Sequence, residues 1–253
     1  GFDIDTNYFR GNAPESVSVE ACVSEGQPDE NTEWHTILER ADVQPHSQKI
    51  FEIANNNSWT HVRLNMFPDG GIARFRVYGE ADVNWNNFVE GELIDLAYIK
   101  NGAKALLVSD MFFSDKNNLI MPGRGKDMGD GWETKRRRDP GPDWFIVKLG
   151  APGSIEKVVI DTCNFKGNFP DTFMLEGCVS DNDDFEQVDD NRQWQPIIER
   201  QQLYAHREHL FIKEVVADKQ QSFTHVRLSI FPDGGVSRMR VFGKRACDLI
   251  SRG

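Results

Sequence analysis

The sequence predicts an all-β protein built from antiparallel β-sandwiches, and three observations favour that class. Apolar runs are short and rich in β-branched or aromatic residues, as in "IEKVVIDT" and "FMLEGCVS". Glycine, proline, aspartate and asparagine separate these runs at short intervals, which is typical of turns. Helical periodicity is scarce, and only "AYIKNGAKALLVS" indicates a short helical turn. Many short strands with dense turn signals define the sandwich class.

Individual segments fit this class. "DWFIVKLG" (143–150) and "IEKVVIDT" (155–162) read as two strands separated by a turn at "APGS". In "THVRL" (224–228) the apolar residues alternate with His225 and Arg227, so these two side chains are expected on the opposite face of the strand. "FPDGG" (231–235) predicts a tight turn, because proline fixes φ and glycine permits positive φ.

The chain contains an internal duplication. "THVRLNMFPDGGIARFRVYG" (60–79) and "THVRLSIFPDGGVSRMRVFG" (224–243) are identical at fourteen of twenty positions. Residues 5–24 match 161–180, and residues 33–40 match 193–200, in the same order. Because the repeat is domain-sized, it indicates two homologous domains rather than a solenoid.

The expected domain limits are 1–82 for the first repeat, 83–92 for a polar linker and 93–245 for the second repeat. Residues 93–160 have no counterpart within the chain, so the first sandwich is expected to be incomplete at its N-terminus, by about 65 residues. Such a domain would expose sheet edges unless something covers them.

Composition excludes several classes of function. The net charge of −11 and pI of about 5.0 argue against a general nucleic-acid binder. No apolar run approaches the roughly 18 residues of a membrane span. The four cysteines have no CxxC spacing and the histidines no ligand spacing, so neither a metal nor another cofactor is expected. Sparse cysteines favour buried thiols in a cytoplasmic rather than a secreted protein.

Two long motifs resemble the allantoicase family. They are "GDGWETKRRRDPGPDWFIVKLGAPGSIEKVVIDTCNFKGNFPD" and the duplicated "THVRLxxFPDGGxxRxRVxG". The resemblance implies two jelly-roll β-sandwiches of the galactose-binding or discoidin-like type. It also implies hydrolysis of allantoate to ureidoglycolate and urea in purine catabolism, with the peroxisome as the second choice of compartment. Family members carry "GWE…RR" in both repeats, whereas here it occurs once, at 131–138.

The implied chemistry sets requirements for a site. Allantoate is a carboxylate whose central carbon bears two ureido groups, so releasing urea breaks a C–N bond at an aminal carbon. The site needs a cation for the carboxylate, a general acid for the departing nitrogen and a base for water.

"ETKRRRD" (133–139) supplies the cations, and Arg136 or Arg137 is expected to bind the carboxylate unless this run is only a solvated loop. Glu133 is an acid/base candidate.

His225 and Asp233 form the other acid/base candidate, and Arg227, on the same strand face as His225, is a candidate for binding substrate. Two alternatives remain open: that these side chains serve only to join the strands of each sandwich, and that Asp233 only caps its turn. Arg238, on the last strand, either lines a pocket or pairs with surface carboxylates.

Loops at one end of a sandwich commonly carry its binding site. Asp161 and Asn168 flank such a loop, "DTCNFKGN", and are expected to bind substrate. The first repeat contains equivalents of the candidate residues at His61, Arg63, Asp69 and Arg74.

Three functions remain open from sequence. The first is the hydrolase, acting on a small ureide with no nucleic acid or membrane partner, and expected to be a homo-oligomer. The second is a non-catalytic module that binds a ligand or protein through its end loops. The third is an inactive relative. Urea release from allantoate separates the first from the other two.

Overall fold

A computed structural model describes residues 1–185 and 193–247. The chain forms two compact units, which we call unit 1 (residues 1–82) and unit 2 (from Val83 onward). No helix in the described ranges is long and apolar enough to cross a membrane.

Unit 1 consists of two small antiparallel sheets. Its strands are β1 (Phe2–Asp5), β2 (Ser16–Cys22), β3 (His35–Asp42), β4 (Gln48–Phe51), β5 (His61–Phe67) and β6 (Arg74–Val77). One sheet has the order β4-β1-β6 and the other β3-β2-β5. Phe2 and Ile4 of β1 and Val17 and Val19 of β2 are buried in the core between them. Both sheets are antiparallel, as predicted.

Unit 2 contains more strands. They are β7 (Ile94–Asp95), β8 (Lys104–Val108), β9 (Trp132–Glu133), β10 (Asp143–Asp161), β11 (Thr172–Cys178), β12 (Gln195–Gln202), β13 (Glu208–Phe211), β14 (Phe223–Phe231), β15 (Gly235–Val236) and β16 (Arg238–Arg245). Short 3-10 helices occur at Trp85–Asn87, Ile99–Asn101, Lys116–Ile120 and Met128–Asp130. The main sheet has the order β12-β11-β14-β10-β16-β7, with β8 and β13 also on β10, and β9 pairs with β15.

Strand β10 joins the two layers of unit 2. Its first part pairs with β8 and β14, and its last part pairs with β13 and β16. The prediction of two strands separated by a turn at "APGS" was therefore wrong, since the chain continues as one strand with register shifts. At Gly153 a Cβ would lie 2.3 Å from the Lys244 carbonyl oxygen, so glycine lets the two strands approach closely. A bent strand that changes layers is a known way to turn a sandwich corner.

The apolar alternation read from the sequence predicts the core of unit 2. Val226 and Leu228 of β14 are fully buried, together with Phe145, Phe173 and Trp132. Within residues 83–92, the predicted linker, Trp85 and Phe88 pack against this core.

The duplicated "FPDGG" forms the predicted turn in both units. Gly70 and Gly234 have φ of 141° and 128°, a region that L-residues rarely adopt. The following glycine in unit 2, Gly235, lies against the Phe165 ring, and a Cβ there would come within 1.9 Å of it. Gly71 lies against the Phe9 ring in the same way, at 2.0 Å. The two glycines are therefore needed for different reasons, one for φ and one for space.

Candidate functional site

Three segments of unit 2 converge at one end of the sandwich. They are the start of the basic run (132–137), the loop after β10 (165–168) and the "FPDGG" turn. Glu133 pairs with Gly235 across the β9–β15 ladder. The Thr134 N–H donates to the Gly234 carbonyl at 3.1 Å, and the Gly235 N–H donates to the Asn168 carbonyl at 2.7 Å. Backbone pairing therefore fixes the segments to one another before any side chain is considered.

The Glu133 side chain meets Asn168 at this junction. Asn168 Nδ2 donates a hydrogen bond to Glu133 Oε1. Glu133 is half-buried, and its carbonyl accepts from the Phe113 N–H at 3.2 Å. An exposed thioether, Met128 Sδ, lies 3.8 Å from Asn168 Nδ2. The structure thus brings together two of the residues predicted from different parts of the sequence, a carboxylate and an amide.

The four cations of the basic run have different environments. Lys135 Nζ lies 3.4 Å from Asp110 Oδ1, and Arg137 Nη1 lies 2.7 Å from Asp143 Oδ1. Arg136 and Arg138 are exposed and form no ion pair with any residue in the described ranges. Two arginines were predicted to bind the substrate carboxylate. Arg137 is already paired with Asp143, whereas Arg136 is available.

Asp233 lies in the turn and holds the basic run in place. Its Oδ2 accepts the backbone N–H of Arg137 at 2.8 Å. Gly234, the next residue, donates its N–H to Thr134 Oγ1 at 3.1 Å. Asp233 is thus beside the site but caps the neighbouring segment, rather than only its own turn.

Asp161 and Arg238 lie next to the site and are almost fully buried. Asp161 Oδ2 accepts from Arg124 Nε at 2.9 Å and its Oδ1 from the Cys163 N–H at 2.8 Å. Hydrogen bonding to this carboxylate, and its charge, raise the pKa of Arg124. Arg238 contacts the Asp130 carboxylate at 3.1 Å and three carbonyl oxygens. Asp161, expected to bind substrate, is therefore engaged inside the protein, and Arg238 pairs with a carboxylate, one of the two alternatives left open for it.

Asp130 is partly buried, yet its pKa is lowered. Burial acts to raise its pKa, but the Lys126 N–H and the Arg238 guanidinium together hold the pKa below its usual value. The Lys126 N–H donates to Asp130 Oδ2 at 3.0 Å. Arg238 and Asp130 therefore form a charged pair under the loop that leads into β9.

The predicted pair of His225 with Asp233 was wrong. His225 is fully buried, with Nδ1 2.8 Å from Thr224 Oγ1 and Nε2 3.3 Å from Asp183 Oδ1. It lies near the start of β14, whereas Asp233 follows the end of that strand. His225 and Phe231 are six positions apart along the strand, or about 20 Å. His225 and Asp233 are close in sequence, but the strand between them places them toward opposite ends of the sheet.

Arg227 is also remote from Glu133. It extends over the outer face of the sheet, where Nη2 lies 2.7 Å from Glu176 Oε2 and the guanidinium lies over the Trp194 ring at 4.5 Å. Arg63 makes the same contacts in unit 1, with Glu20 at 2.8 Å and Trp34 at 4.3 Å. The duplicated arginine therefore joins strands, the structural alternative that the sequence left open.

The other unit 1 equivalents form no comparable site. His61 contacts Thr60 Oγ1 at 2.9 Å, Arg74 lies 3.6 Å from Asp5, and Asp69 is exposed. The described part of unit 1 contains no counterpart of "GWETKRR". No group of three or more potential metal ligands occurs within residues 1–185 and 193–247.

Sequence reasoning missed the residues that anchor the basic run. Asp110 accepts the Lys135 N–H at 2.8 Å through its side chain, and its carbonyl accepts from the Trp132 indole at 2.8 Å. Asp143 binds Arg137 and accepts from Ser109 Oγ at 2.9 Å. The only sequence signal was that Asp110 follows one apolar run and Asp143 begins the next one. Their meeting depends on the β8–β10 pairing.

Fold and site together define an all-β jelly-roll protein with a charged, loop-built site at one end of its second sandwich. A family model described as the allantoicase repeat matches residues 1–82 and 94–246. Relatives described as "Probable allantoicase" from Pseudomonas fluorescens and Photobacterium profundum are 47% and 48% identical, over 97% and 96% of this chain and 74% of their own lengths. The crystal structure of allantoicase from Saccharomyces cerevisiae superposes with a TM-score of 0.82 at 39% identity, covering 96% of this chain and 72% of that one. The chain belongs to the allantoicase family, which confirms both the resemblance and the predicted fold class.

Proposed function

We propose that this chain hydrolyses allantoate to ureidoglycolate and urea, the reaction of purine catabolism that its family membership supports. One observation carries the assignment of the site: Glu133 is held against Asn168 beside a basic run whose Arg136 is exposed and unpaired within the described ranges. A carboxylate, an amide and an available guanidinium match the three parts of the substrate: a reacting aminal carbon, ureido groups and a carboxylate.

In this proposal Arg136 binds the substrate carboxylate. Its planar guanidinium can donate two parallel hydrogen bonds and keeps its charge at any working pH. Lys135 and Arg137 are held by Asp110 and Asp143, so the backbone on either side of Arg136 is fixed. Asn168 offers its amide to a ureido group of the substrate.

Glu133 supplies the acid/base function. The oxygen of water bonds to the aminal carbon while the bond from that carbon to one ureido nitrogen breaks. One water proton reaches the departing nitrogen, which leaves as urea, and the hydroxyl group remains on ureidoglycolate. Glu133 is the proton carrier in this proposal because it is a half-buried carboxylate at the junction, whereas Asp233 is engaged with the Arg137 N–H.

Urea release from allantoate tests the proposal. Glu133→Gln should lower kcat by roughly 10²–10⁴-fold, because removing a general acid or base has that effect. Arg136→Met should raise KM by about 10–100-fold, because it removes a charge-assisted hydrogen-bonding partner of the substrate. Arg138→Met is the matched control, being an exposed arginine of the same run, and should change KM by less than about 3-fold.

Three results would count against this assignment. A folded wild-type chain that binds allantoate without releasing urea would favour the non-catalytic module. Full kcat in Glu133→Gln would remove Glu133 from the chemistry. Equal effects of Arg136→Met and Arg138→Met would mean that the run acts only through its summed charge.

We also infer a homo-oligomer located in the cytoplasm, with the peroxisome as the alternative, and without nucleic-acid or membrane partners. Sedimentation at several protein concentrations measures the oligomeric state, and a monomer at every concentration would contradict this inference.

A further inference from the structure

The loop "MPGRGKDMGDG" (121–131) leads directly into Trp132 and Glu133. It contains four glycines and only one turn of 3-10 helix, Met128–Asp130. Glycine permits many backbone conformations, so the sequence of this loop does not by itself fix its path. Pairing with Gly235 holds the Glu133 backbone from one side, and the direction from which the chain enters β9 depends on what holds the loop to the sandwich.

Arg238 makes contacts at both ends of this loop. Its Nε donates to the Gly123 carbonyl at 3.2 Å, and its Nη1 donates to the Asp130 carbonyl. Its Nη2 lies 3.1 Å from Asp130 Oδ2, and the side chain is only 5% exposed. One buried guanidinium thus joins residue 123 to residue 130, three positions before Glu133.

Close packing leaves the held loop little freedom. A Cβ on Gly131 would lie 2.8 Å from the Phe165 ring and 2.9 Å from the Val236 carbonyl oxygen. A Cβ on Gly125 would lie 2.2 Å from Ser237 Oγ. The loop therefore lies directly on residues 236–238, and Arg238 belongs to the surface that it covers.

Unit 1 provides an internal comparison for this arginine. Arg74 is the counterpart of Arg238 in the repeat, and each faces an aspartate across the neighbouring strand, Asp5 or Asp161. Arg74 keeps that aspartate as its partner at 3.6 Å and is 57% exposed. In unit 2, Arg124 from the loop binds Asp161 instead, and Arg238 turns to the loop backbone. The same residue type has different partners in the unit that carries Glu133.

The geometry points to Arg238 as a positioning residue: it fixes residues 123–131 on the sandwich and thereby sets Glu133 against Asn168. Its effect on turnover rests on the function proposed above, whereas its effect on the loop does not. Arg124 is 55% exposed and does not contact Asp130, and Arg240 reaches only the Met121 and Gly123 carbonyls at the start of the loop. Arg238 alone among these three contacts Asp130, two positions before β9.

Amide hydrogen exchange in the full chain tests the effect on the loop. Arg238→Met should increase exchange at Gly131 and Thr134, whose N–H groups donate to the Met128 and Gly234 carbonyls, and leave β11 and β14 unchanged. Arg238→Lys should recover part of the protection, because lysine keeps the charge opposite Asp130 but cannot reach all four oxygens. Arg74→Met is the matched control and should leave these amides unchanged.

Kinetics tests the consequence for Glu133. Arg238→Met should lower kcat by about 100-fold, the effect of a small misplacement of a reacting group, with KM changed by less than about 3-fold because Arg136 is intact. In a Glu133→Gln background the same substitution should lower kcat by less than about 3-fold, because the two residues act as one unit.

The outcomes separate this proposal from the proposed function. Unchanged exchange at Gly131 and Thr134 in Arg238→Met overturns the positioning role, whatever the activity. Increased exchange with full kcat, or equal kcat losses in both backgrounds, shows that Arg238 does not act through Glu133. If wild-type protein releases no urea, the proposed function fails, and exchange alone decides whether Arg238 fixes the loop. If Arg238→Met loses protection from amide exchange throughout the protein, Arg238→Lys decides the question. That variant must then show increased exchange only in the loop, and any other pattern overturns the positioning role.

Discussion

The "FPDGG" turn makes the same local contacts in the two units, and in unit 2 it also pairs with the strand β9. In both units the second glycine donates its N–H to an asparagine carbonyl at 2.7 Å, Gly71 to Asn12 and Gly235 to Asn168. Both glycines lie against a phenylalanine ring of the same loop. In unit 2 the second glycine, Gly235, also pairs with Glu133 of β9. The duplicated segment thus forms the same turn in both units, and in unit 2 this turn also holds the candidate residue Glu133.

The two units also differ in how their strands are covered. In unit 2, β14 pairs with β10 and β11, whereas its counterpart β5 pairs with β2 alone among the described strands. Apolar residues at matching positions follow this difference: Val226 and Leu228 are fully buried, but Val62 and Leu64 are only partly buried. Identical residues therefore contribute unequally to stability, since burial depends on neighbours.

The largest expected effect tests that inequality directly. Leu228→Ala should lower the unfolding free energy of unit 2 by about 2–5 kcal/mol, the usual cost of removing a fully buried leucine. Leu64→Ala should cost unit 1 only about 1–2 kcal/mol, because its side chain is already partly exposed. Denaturant unfolding followed by amide signals assigned to each unit measures both, since two units need not unfold together. Equal costs would mean that Leu64 is covered in solution.

A smaller effect concerns β7, a strand of unit 2. Asp95 of β7 accepts the Val241 N–H at 3.0 Å, and Arg240 Nε lies 3.6 Å from Asp95 Oδ2. Burial raises the pKa of Asp95 to about 6, although the charge of Arg240 acts to lower it. Because the folded state holds this proton more tightly than the unfolded state, with its ordinary value of 3.8, stability falls as pH rises from about 4 to 6.

Asp95→Asn isolates this contribution. The unfolding free energy of wild-type unit 2, minus that of the variant, should decrease by about 2–3 kcal/mol between pH 4 and pH 7, at 1.36 kcal/mol per pKa unit. The signals of unit 1 should show no such difference. A difference that stays constant with pH, or increases, would show that burial does not raise the pKa of Asp95.

The smallest effect is expected where the units are most alike. Arg63→Met and Arg227→Met should each cost less than about 1 kcal/mol, because both arginines form partly exposed ion pairs and lie over a tryptophan ring. Arg227 is the less exposed, at 22% against 47%, so its loss should be the larger. A cost above about 2 kcal/mol for Arg63 would indicate a more buried pair than the structure shows.

Sequence patterns predicted well where the information is local. Alternation in "THVRL" placed Val226 and Leu228 in the core, and the turn chemistry of "FPDGG" placed glycine where φ is positive. The same alternation correctly placed His225 on the other face, but it did not give the distance from His225 to the loop end of the sandwich. Strand periodicity specifies a face and not a position along the domain, so the predicted His225–Asp233 pair failed.

The sequence by itself determined the duplication, the strand-rich class and the family, and it named Glu133 and Asn168 as separate candidates. Each of these follows from composition, from local patterning or from long shared motifs. Only the tertiary structure decided which carboxylate meets which cation: Asp143 binds Arg137, Asp110 holds Lys135, Arg238 holds the loop, and Arg136 is left exposed. These partners are set by the register of strands distant in sequence, as when Glu133 pairs with Gly235. Register results from packing of the whole sandwich and not from either strand alone.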